Sequence, residues 1–313
     1  MEITPALLQS FFQQLDMRYQ AAYQRRKTYW QNYAELCPSS TETNVYSWLA
    51  ELPGLREWIG PRLVRNIAAR AYSITNKPFE HTFGVDKYKI ADDQTGIYGR
   101  MADLQGDAAA RWPDDIVTAA LMAGNSTLCY DGTNFFSTSH PVDLDDASQG
   151  NYSNLFTTTP LTQANYGVVK AAMRSYKGES GKPLEVEPTL MIVGPALETT
   201  AKEITNGTLI SRTTQNVAGT ENVAAAAITN VYVGDVTLIV MPRLVADTAG
   251  AWYLASTDRI RPLIFQQRMA PTRTAIVDPT NPVVFNQRQF QYGVESRGGA
   301  GYGLPFLMTR ATP

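Results

Sequence analysis

TGIYGRMADLQGDAAARWPDDIVTAALMA, residues 95–123, is the stretch around which the rest of the chain is organised. Apolar side chains recur at Ile97, Met101, Leu104, Ala108, Trp112, Ile116 and Ala120, stepping by three or four residues. That is the repeat of one helical face. Gly124-Asn125 supplies a stop. Pro113 removes a backbone donor and disfavours a helical residue before it, so a kink or a restart is expected there. Asp114 and Asp115 would then suit the first turn of the restarted segment. Directly behind, CYDGTNFF (129–136) reads as a turn leading into paired aromatics.

Upstream of this helix the pattern is that of strands. Ala71 to Ile74 reads as one, and Asn76-Lys77-Pro78 is a turn signal. Phe79, His81, Phe83 and Val85 then alternate with Glu80, Thr82 and Gly84, and Asp92-Asp93-Gln94 closes the unit. The expectation is a long hairpin with little chain to cover it, offering pairing edges. Residues 44–60, NVYSWLAELPGLREWIG, crowd Tyr46, Trp48, Leu49, Leu52, Leu55, Trp58 and Ile59 around Pro53-Gly54, and groups of this size need burial. At the N-terminus Thr4-Pro5 opens a helix, with Leu8, Phe11 or Phe12, Leu15, Tyr19 and Ala22 or Tyr23 as its stripe. That helix fits equally a place on its own core or on something outside it.

Downstream, Leu161 to Tyr176 reads as a helix with Ala164, Val168, Ala171 or Ala172 and Tyr176 in step. Glu185 to Val193 reads as a strand, and Ala196 to Thr205 as a short helix ended by Asn206-Gly207. Residues 211–227 read as an exposed loop. Strands are expected at Asn230–Met241, Trp252–Leu254, Ile260–Gln267, Val283–Tyr292 and Leu304–Thr309. Helices and strands mix without a regular βαβ beat, which argues α+β rather than a doubly wound sheet.

Composition narrows the function classes. The 313 residues suffice for one large or two ordinary domains, and 44% hydrophobic content is that of a folded protein. A net charge of −2 provides no global field to recruit nucleic acid or an anionic membrane. The basic residues are 19 Arg and 8 Lys, a bias that leans towards contacts between proteins. Cys37 and Cys129 have neither disulfide-framework nor zinc spacing and read as reduced thiols. The N-terminus lacks a basic region before its apolar residues, and no run is long enough to span a bilayer, so a reducing cytoplasm is the expected setting.

Chemical motifs are mostly wanting. His81 and His140 lack partners at metal-ligand spacing. G-x-S-x-G is absent. GESGKP (178–183) has neither the gap nor the hydroxyl residue of a phosphate loop. Asp143, Asp145 and Asp146 resemble a calcium loop only until Ala147 and Asn154, where ligands belong. Gly298–Gly303 fits a bent strand better than a dinucleotide turn. Asp92-Asp93 and Asp114-Asp115 have turn and helix-start explanations. Arg25-Arg26-Lys27 would touch a phosphate backbone only non-specifically. No catalytic, cofactor-binding or metal-binding residue is expected.

The ordered set of segments is more informative. SSTETNVYSWLAELPGLREWIG (39–60), YSITNKPFEHTFGV (72–85), DDQTGIYG (92–99), the helix ending AALMAG, CYDGTNFFSTSHPV (129–142), MIVGPAL (191–197), RPLIFQQR (261–268) and RQFQYGVESRGGAGYG (288–303) resemble the Mu-like phage major head subunit (gpT) family. The resemblance spans almost the whole chain and is weakest over about 205–230. It implies the Hong Kong 97-like major capsid fold. The parts would be an N-terminal arm (1–60), an extended β-hairpin loop (61–98), a peripheral domain with a long spine helix (99–183 and 253–313) and an axial domain (184–252). The implied function is a tailed-phage major capsid protein, not an enzyme, that self-assembles as pentamers and hexamers around double-stranded DNA. Implied partners are further copies of itself, separate scaffold, protease and portal proteins, and packaged DNA touched non-specifically; no membrane is involved. The place would be the virion, assembled in the host cytoplasm. Some relatives crosslink Lys to Asn, and Lys77, Lys87 and Lys89 on the loop could in principle do so, though nothing in the sequence asserts it. Gly84, Gly96, Gly99 and Pro113 are candidate bending points. An encapsulin-like cargo shell would keep the same fold. A hydrolase using Asp92, Asp93 or His140 would instead form a small oligomer with a concave pocket, and a tail component would form a tube or fibre.

Overall fold

The computed structural model describes residues 5–46, 72–86, 89, 96–144, 146–178, 181–212, 226–247, 250–278 and 280–313. Two sheets carry the architecture. The first is four-stranded: β1 (Ala34–Pro38) runs parallel to β13 (Leu263–Ile276), β13 pairs antiparallel with β14 (Gln289–Tyr302), and β14 pairs antiparallel with β4 (Lys77–Asp86). The second is five-stranded, in the order β11 (Thr237–Val240), β8 (Leu190–Val193), β12 (Trp252–Ala255), β15 (Met308–Ala311) and β7 (Leu155–Phe156).

Each strand of the second sheet feeds two cores, because successive side chains point to opposite faces. Leu190, Ile192, Tyr253, Ala255 and Met308 face the core that contains Trp30, Tyr33, Trp112, Phe135 and Phe265. Met191, Val193, Trp252 and Leu254 face a core containing Tyr166, Val169 and Met173 of helix α3 (Gln163–Arg174). Ala201 and Ile204 of α4 (Glu198–Asn206) join the second core.

The helix read from residues 95–123 is present as α2 (Ile97–Ala123), ending at Gly124. It is one continuous helix with Pro113 inside, so no restart occurs. Its packed face also differs from the expected stripe. Gly99, Ala102, Gly106, Ala109, Ala110, Trp112, Val117 and Leu121 are buried, whereas Ile97 and Leu104 are 56% and 70% exposed. The reason is α1 (Pro5–Arg25), which lies along α2. A Cβ on Gly106 would strike the Tyr19 carbonyl oxygen, and one on Gly99 the Arg18 guanidinium. Small residues at steps of three and four let two backbones approach; large ones there would hold them apart.

The stripe expected on α1 is the one observed: Leu8, Leu15, Tyr19 and Ala22 are buried. Phe12 meets Phe290 and Tyr292 with ring centroids 5.5 and 5.3 Å apart. Of the two placements open to this helix, its own chain supplies the cover. Asp114, expected in a helix start, instead sits buried mid-helix and accepts from the backbone N–H groups of Tyr29 and Trp30 at 2.9 and 2.7 Å. It thereby ties the chain leaving α1 to the spine.

The hairpin expected over 71–85 is replaced by two strands with separate partners. β3 (Tyr72–Thr75) pairs with β2 (Thr43–Tyr46), while β4 lies on β14. Asn76 is the switch between them. Its amide donates to Ser39 Oγ and the Thr41 carbonyl, both at 2.8 Å, and accepts from Gln266 Nε2 at 2.8 Å. Gln266 also donates to the Ile74 carbonyl and accepts from Tyr46 OH at 2.8 Å, so one buried amide clamps β2 and β3 onto β13. Residues 47–60 and Asp92-Asp93 lie outside the described residues.

Four further readings shift. Residues 283–287 are helical, in α5 (Pro282–Gln287), because Asn281 caps the Val283 N–H and Pro282 opens the helix; the strand begins only at Gln289. The strand expected over 230–241 shortens to β11, since Gly234 turns the chain with φ 71° and Asn230 caps α4 by donating to the Ile204 and Gly207 carbonyls. α3 buries Tyr166, Val169 and Met173 and leaves Val168 exposed, one step round from the expected stripe. The strand expected to end at Tyr292 runs on as β14 to Tyr302, and the glycines read as a bent strand close it: Gly298 faces Trp112, and Gly299 and Gly301 face Ile74, where a Cβ has no room. β9 (Leu209–Arg212) and β10 (Ala226–Thr229) form a two-stranded ladder; most of the loop expected there lies outside the described residues.

Candidate functional site

Three surfaces stand out once the cores are accounted for. The first is the far half of the β13–β14 hairpin. β13 pairs with β1 only as far as Gln267, so from Arg268 to Ile276 its outer edge carries no strand among the described residues. Two register shifts, between Gln267 and Met269 and between Met269 and Thr272, together with Pro271, interrupt that edge. Bulges and proline are devices that keep an edge from pairing indiscriminately. Beyond it, at the tip, Phe285 of α5 is 79% exposed.

The second surface is the outer side of α2, where Ile97 and Leu104 stand exposed alongside Arg100 and Arg111. The third is the turn before β11, where Val231 and Val233 are exposed; Val245, also exposed, follows the other end of that strand. Isolated exposed apolar residues are ordinary; groups of them on protruding elements mark contact surfaces.

Polar clusters hold the same elements from within. Arg273, on the hairpin, pairs with Asp16 of α1 and lies between the rings of Tyr292 and Tyr19, 5.0 and 5.7 Å from their centroids. Arg18 pairs with Asp103 across the α1–α2 contact. On the second sheet, Lys170 Nζ and Tyr166 OH both donate to Asp235, at 2.6 and 2.7 Å. Burial alone would raise the Asp235 carboxyl, but these donors hold it below its ordinary value of 3.8. Arg310 and Asp247 form a buried pair shared with Tyr253 OH.

The most enclosed polar group lies just past the end of α2. Gly132, with φ 79°, turns the chain so that Asp131 Oδ1 accepts from Cys129 Sγ at 3.0 Å and from Thr133 N at 2.9 Å. His140 opens β5 (His140–Pro141), which pairs with β6 (Asn151–Tyr152). That pairing stacks the His140 ring on Tyr152 and leaves Nδ1 2.6 Å from Asp131 Oδ2. Burial would raise the Asp131 carboxyl; the hydrogen bonds from His140, Cys129 and Thr133 hold it down, at about 2. Burial and the adjacent carboxylate push the Cys129 thiol up. The only signal of this group in the sequence is Cys-x-Asp within a turn, with a histidine nine residues on. That spacing matches no standard metal motif, so His140 reads there as a lone structural residue.

The remaining sequence candidates are placed apart. His81 is exposed on β4. At the ends of the GESGKP segment, Gly181 N donates to the Gly178 carbonyl and Lys177 is bridged to Pro183, while residues 179 and 180 lie outside the described residues. Asp146 caps a short 3-10 turn through Ser148 N. Asp115 lies on the spine surface, paired with Arg243. Arg25, Arg26, Lys27, Tyr29 and Asp107 line a depression of about 350 Å³ at the end of α1. Both cysteines are free thiols.

A family model described as the Mu-like prophage major head subunit gpT matches residues 8–159, 155–244 and 240–312. The Mu-like prophage FluMu major head subunit of Haemophilus influenzae is 28% identical over 305 residues, 96% of this chain and 72% of that protein. The major capsid protein of Escherichia phage Mu is 36% identical over 142 residues, 45% of this chain and 47% of its own length. Among solved structures, the procapsid of bacteriophage JBD30 is similar with a TM-score of 0.57 and 30% identity, over 99% of this chain and 76% of that one. A virus-like particle from Pyrococcus furiosus, TM-score 0.51 over 96% of this chain and 99% of that one, shares the fold at 10% identity.

Proposed function

We propose how the parts divide the work in a chain that belongs to the Mu-like prophage major head subunit gpT family and is the major capsid protein of a tailed phage. Its role is structural, not enzymatic, and it is a component of the virion built from many copies. The observation that carries this is the family match running from residue 8 to 312 together with the likeness to a procapsid subunit over 99% of the chain.

In our reading the copies assemble as pentamers and hexamers into a closed icosahedral head, in the host cytoplasm. Residues 1–60 serve as the arm, 61–98 as the extended loop, 99–183 and 253–313 as the peripheral domain, and 184–252 as the axial domain. Support for the axial assignment is that β8, α4 and β11 all fall within 184–252. Its margins interlock with the rest: β12 starts at Trp252, and α3 and β15 pack on the same sheet. β4, through its ladder with β14, works with the peripheral sheet.

The free edge of β13, Phe285 at the hairpin tip, and Ile97 with Leu104 on the spine are the surfaces that neighbouring copies cover. Each contact is modest, but a subunit in a closed shell is held by several at once. Scaffold, protease and portal act as separate proteins. Packaged double-stranded DNA is met non-specifically, with the depression of Arg25, Arg26 and Lys27 as the cationic contact; charge contacts of this kind weaken steeply with salt.

Negative-stain microscopy of the purified full chain, expressed with the phage's own scaffold gene, tests the assembly reading. Closed particles of uniform diameter are expected. Small monodisperse oligomers under those conditions would defeat it.

A further inference from the structure

We propose that Cys129, Asp131 and His140 form a closed binding site for a divalent, thiophilic metal ion of the zinc class. Their donor atoms, one sulfur, one carboxylate oxygen and one imidazole nitrogen, lie within 4.8 Å of one another. All three side chains are shut away: His140 is 0% exposed, Cys129 5%, and the Asp131 side chain 2%. Thiolate, imidazole and carboxylate converging in a closed pocket are the donor set that zinc takes.

The surroundings decide which imidazole nitrogen is available. Asn154 Nδ2 donates to the carbonyls of Phe135, Pro305 and Met308, at 2.8, 2.9 and 3.2 Å. Its Oδ1 is therefore turned the other way, where it accepts from Ser137 N at 2.8 Å and faces His140 Nε2 at 3.1 Å. The Phe135 carbonyl also lies 3.2 Å from Nε2. With only acceptors around it, Nε2 carries a hydrogen. Such an outward hydrogen bond is the one that orients a metal-bound histidine. Nδ1 then points at the Asp131 carboxylate 2.6 Å away. A neutral ring would aim a lone pair at an anion, so a positive centre belongs between them.

A proton there serves two atoms, whereas a metal ion engages all three donors. Tetrahedral coordination at zinc spaces nitrogen, oxygen and sulfur ligands roughly 3.3–3.7 Å apart, so Nδ1 and Oδ2 must open by about 0.7 Å. The Thr133 hydroxyl, 3.0 Å from Nδ1 and 2.8 Å from Oδ1, or a water stands where a fourth ligand would come. On binding, the thiol proton of Cys129 and the proton between His140 and Asp131 leave as the metal enters. The ion would staple the 129–140 segment, and through Asn154 the chain at 305–308, to the end of the spine helix.

The test uses the full chain with Cys37→Ser, which leaves Cys129 as the sole thiol, and adds Zn²⁺ or Co²⁺ as chloride salts. About one Zn²⁺ per chain is expected after gel filtration, by elemental analysis. Co²⁺ should give a thiolate-to-cobalt charge-transfer band and tetrahedral d–d absorption. Adding Cys129→Ser should abolish the charge-transfer band. His140→Gln removes a direct donor and should weaken Co²⁺ binding by more than the roughly 10- to 100-fold lost when only an outer partner of a ligand is changed. A folded Cys37→Ser protein that retains less than about a tenth of an equivalent and shows no charge-transfer band would overturn the proposal. So would an unchanged cobalt spectrum in folded Cys129→Ser. Where the second variant does not fold, the metal content and spectrum of the Cys37→Ser protein decide alone.

Discussion

Gly106 is the residue on which the contact between α1 and α2 turns. A Cβ there meets the Tyr19 carbonyl and the Ala22 side chain, so Gly106→Val would drive the two helices apart. Overpacking of this kind costs about 1–3 kcal/mol, and more where backbone must move. We expect a lowered denaturation midpoint and faster proteolysis within residues 5–25; an unchanged midpoint would remove this contact from the account. Gln266 is a second single point of control, because it satisfies Tyr46 OH, the Ile74 carbonyl and Asn76 together. Gln266→Leu would leave those groups buried and unpaired, at about 1–3 kcal/mol for a buried polar group. The check is equilibrium unfolding, with the loss read mainly as detachment of β2 and β3. Asp235 sets a pH dependence. Its folded carboxyl lies below the ordinary value, so its contribution is fully present above about pH 4 and is lost as pH falls through the folded value. Asp235→Asn should flatten the acid limb of the stability profile below about pH 4 while leaving its shape near neutrality unchanged.

At the scale of elements, β4 and the β13–β14 hairpin behave differently. Phe83 and Val85 of β4 are buried, and the strand is laddered along β14. Deleting 76–90 therefore removes a structural strand, and the shortened chain is expected to be insoluble on expression. Phe285 at the hairpin tip is the informative target. Being 79% exposed, Phe285→Ser should alter subunit stability by less than about 0.5 kcal/mol. If the tip is a contact between copies, the yield of closed particles falls all the same; normal particle yield with normal stability would dismiss the tip as an assembly surface.

For the whole molecule the pertinent contrast is between the two faces of α2. One is fused to α1 and the first sheet, the other offers Ile97 and Leu104. The double change Ile97→Ser, Leu104→Ser should leave the isolated chain folded by circular dichroism and reduce shell formation on co-expression with scaffold. The amino-acid pattern alone determined that this helix exists, where it stops, that α1 carries an apolar stripe, and that the chain is α+β, because periodicity and end signals act over a few residues. It also contained, in its ordered segments, the likeness to a capsid subunit. Only the tertiary structure decided which side of the helix is packed. Large apolar residues dominate a periodicity reading, yet here glycine and alanine face inward because a second helix must come close. It likewise decided that 72–75 and 77–86 pair with strands distant in the chain and that Cys129, Asp131 and His140 meet. Strand partners and converging side chains depend on contacts between remote residues, and local pattern carries no information about which remote residue will arrive.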